Sequence, residues 1–375
     1  MEKSKVYLTD FRSHPGDSLP NKLRRLMISA GIKNIDFDGK FVAIKMHFGE
    51  LGNVSFLRPN YAKAVADLVK ELGGKPYLVD CNTLYPGSRK NALDHLTCAQ
   101  MNGFSEASTG CHIIIGDGVK GTDDVAVPVR NGQYCKEAYI GRGVMDADVF
   151  ISLTHFKGHE EAGFGGTIKN IGMGCGSRAG KCDQHASGKT QVDEKLCRGC
   201  RSCAKVCGSD AISYPNKKAV IDLAKCKGCG RCIAACSFDA ISPLSWNANE
   251  LLGKKMAEYA MAVCDGRPCF HVSLIMDVSP WCDCGGFNDA PIIPDVGMLC
   301  SFDPVALDQA CVDLCDKEEN HYFENSQLGD RIKDGTKLTG HVFHDDEPET
   351  DPDSAIAHGE EIGLGTRAYE LIKVK

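Results

Sequence analysis

A chain of 375 residues with 21 cysteines and a formal net charge of −7 has room for more than one folded unit, and its mild acidity offers no basic footprint for nucleic acid. No run approaches the eighteen or so apolar residues of a membrane span, and residues 1–11 read as a polar-led strand instead of a secretory leader. So many cysteines without such a leader point to a reducing, cytoplasmic setting, where metal ligation is commoner than disulfide formation.

The first half alternates short apolar runs with helical patterns. Residues 41–46 read as a strand, 59–72 as an amphipathic helix stopped by Gly73 and Gly74, and 76–79 as the next strand. Residues 112–115 and 149–153 are further strands, rich in β-branched side chains. This alternation predicts an α/β fold, a mixed or parallel sheet with flanking helices, whose site lies on loops after the strands. Lys45, His47, Glu50 and Arg58 follow the first clear strand, and Asp80 and Asn82 the next. They suit either proton chemistry in a shared pocket or plain surface charge at strand ends.

The densest chemistry follows residue 153. His155, Lys157 and His159 lead into a glycine-rich turn, then Lys169 and Asn170, then Cys175, Cys182 and His185. Seven glycines between 163 and 180 would let backbone amides approach an anion or cofactor, with Gly163, Gly165, Gly166 and Asn170 as the binding positions. A phosphate-binding Walker loop is not the reading, because Cys175 and Cys182 stand where that motif needs Gly and Ser or Thr. The alternative is that the glycines only permit tight packing while the His and Lys residues face solvent.

Next comes a repeat. Cys197, Cys200, Cys203 and Cys207 have the same spacing as Cys226, Cys229, Cys232 and Cys236, and nine of seventeen aligned residues are identical at an offset of 29. A thiolate every third residue wraps three corners of an iron–sulfur cube, and the Cys beyond serves the other cube. Two [4Fe–4S] clusters are expected, one held by Cys197, Cys200, Cys203 and Cys236, the other by Cys226, Cys229, Cys232 and Cys207. The duplicated half-module resembles a bacterial-type ferredoxin, although Gly208 and Ser237 follow the fourth cysteines where such proteins usually have Pro. A pair of zinc sites is the competing reading.

Beyond the repeat, residues 249–263 read as a helix, 270–276 as a strand and 304–314 as a helix capped by Asp303 with Pro304 in its first turn. The arrangement expected is an α/β domain in two parts, 1–188 and 246–375, interrupted by an α+β ferredoxin-like domain at 189–245; three domains in series are the alternative. Cys282, Asp283 and Cys284, with Asp289, Asp295 and Asp303 following, lie after a predicted strand. The Cys-x-Cys pair suits a metal or third cluster shared with Cys175 or Cys182, or packs as small hydrophobes, as Cys98 and Cys311 are expected to do. The acidic stretch 344–353 reads as a solvated loop.

The segments IKMHFGE (44–50), LVDCNTLYPG (78–87), HFKGHEEAGFGGTIKNIGMGCGSRAGK (155–181) and CDCGGFNDAPIIPDVGMLCSFDPVALDQA (282–310) resemble the family called domain of unknown function 362. Its members often carry a ferredoxin-type cluster domain at this place and have no general assigned reaction. Separately, the phrase 159–170 is similar to one in nickel-pincer lactate racemases, with Gly163, Phe164, Gly165 and Gly166 matching, Gly165 in place of Ser, and Lys169 following. That likeness implies a loop holding a further cofactor, a metal or an organic acid.

The expected function is that of an iron–sulfur oxidoreductase passing single electrons from two clusters to a site in the α/β domain. There Lys157 and Lys169 fix an anionic group, His155 or His159 moves protons, and Asp283 orients them. The partner is a redox protein or a small-molecule substrate; the oligomeric state is left open. A non-catalytic electron carrier or assembly factor is one alternative, and a cofactor-dependent isomerase with structural clusters another.

Overall fold

The computed structural model describes residues 3–186, 189–244, 250–320 and 326–375. Its centre is a nine-stranded sheet: β1 (Ser4–Thr9), β2 (Phe41–Lys45), β3 (Lys75–Asp80), β4 (His112–Ile115), β5 (Val149–His159), β6 (Gly163–Gly165), β7 (Cys269–Ile275), β8 (Gly297–Ser301) and β9 (Tyr369–Lys373). The order is β9-β1-β8-β7-β5-β2-β3-β4, with β6 folded back on β5. Only β8 and β6 run antiparallel to their neighbours. This is a mixed α/β architecture with a mostly parallel sheet.

Both faces are covered, so the strands read as continuous apolar runs. Val42, Ile44 and Ile151 pack in one core cluster with helices α1 (Leu19–Ser29) and α2 (Pro59–Glu71). The alternate residues Ala43 and Phe150 join a second cluster, as the period of two requires. That cluster takes in helices α3 (Thr167–Cys175), α5 (Glu250–Cys264), α6 (Pro304–Cys315) and α7 (Ser354–Glu361), while α4 (Arg178–Ala186) follows α3 in the chain. Asp303 caps α6, accepting from Val305 N and Ala306 N at 2.9 Å. The chain builds β2, β3 and β4 outward, then returns to lay β5 on the other side of β2. That reversal puts a switch point at the carboxyl ends of β2 and β5, where a parallel sheet opens a crevice.

Residues 190–243 contribute no strand to this sheet. They form two small antiparallel ladders, Thr190–Val192 with Ile241–Pro243 and Ile212–Ser213 with Val220–Ile221. The 29-residue repeat is written into the backbone. Gly199 and Gly228 have φ of 66° and 71°, Arg201 and Gly230 64° and 62°, Asp210 and Asp239 49° and 50°. The expected boundaries after 188 and 245 fall on residues 187–188 and 245–249, outside the described ones.

Two expectations need correction. β5 does not stop at residue 153 but runs to His159 with all eleven residues buried. Nor is 344–353 a solvated loop: a short helix, Val342–Asp346, opens it, and Asp345, Asp346 and Thr350 are buried. Asp345 is placed there to accept from Thr339 N at 2.7 Å and Gly340 N at 3.0 Å.

Candidate functional site

At the switch point lies a cavity of about 280 Å³ whose wall includes Lys45, Asp80, His155, Lys157, His159, Lys169, Lys181, His185, Cys282, Asp283 and Cys284. The extension of β5 supplies its floor. His155, Lys157 and His159 are two residues apart and so share a strand face. The loop after β7 brings Cys282 to Cys284, α3 brings Lys169, and α4 brings Lys181 and His185 one helical turn apart.

His155 is pinned from both sides, Nδ1 to Asp283 Oδ2 at 2.9 Å and Nε2 to the Met276 carbonyl at 2.7 Å. Both partners accept, so the ring donates from both nitrogens. Burial opposes its charge, but the Asp283 carboxylate outweighs it and raises the pKa. His155 thus has no lone pair for a substrate and holds Asp283 in place. His159 differs, because its Nδ1 accepts from Glu161 N at 2.9 Å and Ala162 N at 3.1 Å. That puts its proton on Nε2, which makes His159 the histidine able to exchange one.

Lys157 is buried, which opposes its charge, yet Cys282, Asp283, Cys284 and Glu160 around it raise its pKa. Lys169 Nζ stands 3.7 Å from Cys282 Sγ, and that sulfur also accepts from Cys284 N at 3.3 Å. Burial resists ionisation of Cys282, but a hydrogen bond with the Cys284 side chain and the charges of Lys157 and Lys169 hold its thiol well below the usual range. Its neighbour Cys284 is pushed the other way, first by that hydrogen bond and then by burial.

His47 and Glu50 do not pair directly; each is held by Arg89, through Nη1 to His47 Nε2 at 2.8 Å and Nε to Glu50 Oε2 at 3.0 Å. Lys45 is tied to Asp80 at 3.1 Å and to Asn170 Oδ1 at 2.9 Å. Arg58 pairs with Asp277 and Asn82 with Asp117, both away from the cavity.

Of the expected binding positions, Gly165, Gly166 and Asn170 line the cavity, and the glycines also pack closely inside the fold. Gly163 lies against Pro352 and Thr350 and does not reach the cavity wall. Gly165 makes room for the Lys157 ammonium, and a Cβ on Gly166 would fall 2.6 Å from Asp308 Oδ1. Asp308 takes the first amides of α3, accepting from Thr167 N at 2.6 Å and Ile168 N at 2.8 Å, so these donors are spent inside the fold. Asn170 is equally spent: besides Lys45 it bonds Leu153 O at 3.2 Å and Thr154 Oγ1 at 3.0 Å. These contacts fix α3, and with it Lys169, on the cavity wall.

Cys282 and Cys284 do not meet Cys175 or Cys182. Their partner is His159, the ligand atoms of the three lying within 4.8 Å of one another. Cys175 is buried in the core, with Cys81 Sγ on its carbonyl at 3.4 Å. Cys182 packs with the repeat, near Cys226, Cys229 and Cys232. Cys98 and Cys311 are fully buried.

In the repeat, Cys197, Cys200, Cys203 and Cys236 line one small cavity. Amides point at its sulfurs, Ala219 N to Cys197 at 3.4 Å and Ala240 N to Cys236 at 3.3 Å, and Ala211 N meets Cys207 at 3.3 Å. The donor chemistry fits a thiolate-bound cluster with N–H···S support. The 21 cysteines and the group of His159, Cys282 and Cys284 are consistent with metal or iron–sulfur binding.

The family model described as "Domain of unknown function (DUF362)" matches residues 42–313. The chain belongs to this family. A thylakoid-associated protein of Synechocystis sp. is 28% identical over 180 residues, 45% of this chain and 50% of that protein. The chain therefore spans half the length of the curated relative it matches. Among solved structures, it is similar to the lactate racemase apoprotein from Thermoanaerobacterium thermosaccharolyticum, at 12% identity and a TM-score of 0.35, over 73% of this chain and 51% of that one. A protein from Thermotoga maritima is similar at 10% identity and a TM-score of 0.35, over 69% and 50%. Among the described residues, no helix is long and apolar enough to cross a membrane.

Arg89, Tyr85, Glu160, Glu161 and Lys181 were not among the expected site residues, yet all line the cavity together with His185. The i, i+4 spacing of Lys181 and His185 was the one signal available for them.

Proposed function

We propose that the protein is an iron–sulfur oxidoreductase in which two [4Fe–4S] clusters serve the switch-point cavity. Cys197, Cys200, Cys203 and Cys236 would hold one cluster, and Cys226, Cys229, Cys232 and Cys207 the other. When bound, each cluster supplies one electron at a time. The observation that carries the reading is helix α4: Cys182 faces Cys226, Cys229 and Cys232, while Lys181 and His185 of the same helix line the cavity.

The chain's own residues then act on a small substrate. Lys157 and Lys169 attract an anionic group such as a carboxylate. His159 presents Nε2–H to it, and Asp283, fixed by His155, keeps Lys157 charged. Buried in the cavity, these charges are weakly screened. A carrier that only docks to a partner would need no such cavity, which favours the enzyme.

The test uses protein purified without air, with reduced viologen as donor and a panel of small organic acids as acceptors. Any acceptor-dependent oxidation should be abolished in Lys169→Ala and His159→Ala while the cluster absorbance stays intact. Turnover unchanged in both variants would remove the cavity from the reaction and leave the carrier reading.

A further inference from the structure

Cys282 and Cys284 have no assigned role in the reading above, although they are the most chemically prepared thiols outside the repeat. Cys282 Sγ has its charge supported from two directions, by the Cys284 amide at 3.3 Å and the Lys169 ammonium at 3.7 Å. Cys284 Sγ has the Glu160 carboxylate 4.0 Å away, and Glu160 also accepts from Cys282 N at 3.2 Å. A sulfur with donors on two sides, next to a second thiol that has a carboxylate within reach, is what thiol–disulfide chemistry uses.

A metal ion is the competing occupant, with His159 as third ligand. Two features oppose it. The His159 Nδ1 lone pair is engaged by the amides of Glu161 and Ala162, so Nε2 carries a proton and is not a ligand. Lys157 and Lys169 flank the sulfur, an arrangement that suits an anion and repels a cation.

We infer that Cys282 and Cys284 form a dithiol–disulfide couple on the cavity wall, the two-electron terminus of the redox path; this rests on the iron–sulfur reading above. In the oxidative direction a bond forms between the two sulfurs, the Cys284 proton passes to Glu160, and two electrons leave. The acceptors are oxidised iron–sulfur centres, one electron to each of two. Two one-electron centres thus match one two-electron couple, and reduction runs the same step backwards. A ring closed across one intervening residue departs from relaxed disulfide geometry, which makes the bond readily reducible. Helix α4 links the two regions: Cys182 packs with the repeat, while Lys181 and His185 of the same helix line the cavity with His159, Lys169 and Cys282.

The full chain, purified without air, is oxidised with the dye thionine, desalted and titrated with dithionite, while cluster absorbance and iodoacetamide-accessible thiols are followed. Wild type should take up about four electrons per chain, one for each cluster and two for the disulfide. Cys282→Ser and Cys284→Ser should each take up about two, with equal cluster bleaching. Mass spectrometry of oxidised wild type should find the two thiols unalkylated and lighter by two hydrogens, a readout that does not depend on either variant folding. Uptake of two electrons by wild type, with both thiols alkylated throughout, would overturn the couple while leaving the clusters in place. Stoichiometric zinc or nickel, lost in Cys282→Ser, would overturn it in favour of a metal centre. Absence of any bleaching would refute the iron–sulfur reading itself.

Discussion

Replacing Asp308 by Ala tests how the glycine-rich segment is held. Asp308 is fully buried on α6 and accepts the amides of Thr167 and Ile168, at 2.6 and 2.8 Å, the first two of α3. Alanine leaves both donors without their acceptor. A buried amide without a partner costs about 1–3 kcal/mol, so with two of them the end of α3 should lose roughly 2–6 kcal/mol. Because the loss is local, it is best read by hydrogen exchange of the peptide spanning α3, where protection should fall about 30-fold or more. Asp308→Asn keeps one acceptor and should fall between the two. Lys169 rides on the same helix, so the thiolate of Cys282 should lose its neighbour and alkylate more slowly at neutral pH. Exchange changed less than about threefold in Asp308→Ala would refute the claim that this carboxylate, not a bound anion, satisfies the helix start.

Glu258 on α5 accepts from the amides of Gln133 (2.7 Å), Tyr134 (3.0 Å) and Cys135 (2.6 Å) and from His358 Nε2 (3.0 Å). Burial raises its pKa, but these bonds outweigh it and hold the carboxyl below its ordinary value of 4.5. The stabilisation is therefore present above about pH 4.5 and is lost as pH falls through the lower, folded value. Glu258→Gln should cost about 2–4 kcal/mol at pH 7 and flatten the acid limb of a urea-unfolding series run from pH 7 to 3; an unchanged acid limb would sink the assignment. Gly172 packs directly on the Met256 carbonyl of α5, so Gly172→Ala should lower the unfolding midpoint by an amount equivalent to about 1–3 kcal/mol, and an unchanged midpoint would contradict that contact. Cys236→Ser should remove a ligand from the set of Cys197, Cys200 and Cys203, so iron content should fall by about half or more; loss confined to the Cys226–Cys232 set would mean the sets do not cross.

The elements easiest to read were those with strong local signals. β4 was legible from a β-branched run, and α2 from Pro59 at its start and Gly73 after its end, where φ is 90°. The cysteine repeat was readable because ligand spacing is itself local. The end of β5 was hidden: His155, Lys157 and His159 look like loop residues, and only partners 120 or more residues away, Asp283 and Cys282, make their burial tolerable. The packing contacts of the glycines were hidden for a related reason. A close approach to Asp308, Met256 or Lys157 is a tertiary fact that no window around Gly166, Gly172 or Gly165 contains. The same holds for Asp345, whose acidic surroundings suggest solvent until its bonds to Thr339 and Gly340 are seen.

The central claim is that the eight repeated cysteines hold two iron–sulfur cubes beside a charged cavity. Iron and acid-labile sulfide analysis of protein purified without air tests it most directly. About eight iron and eight sulfide per chain is the result this structure predicts; about two zinc per chain with no sulfide would contradict it.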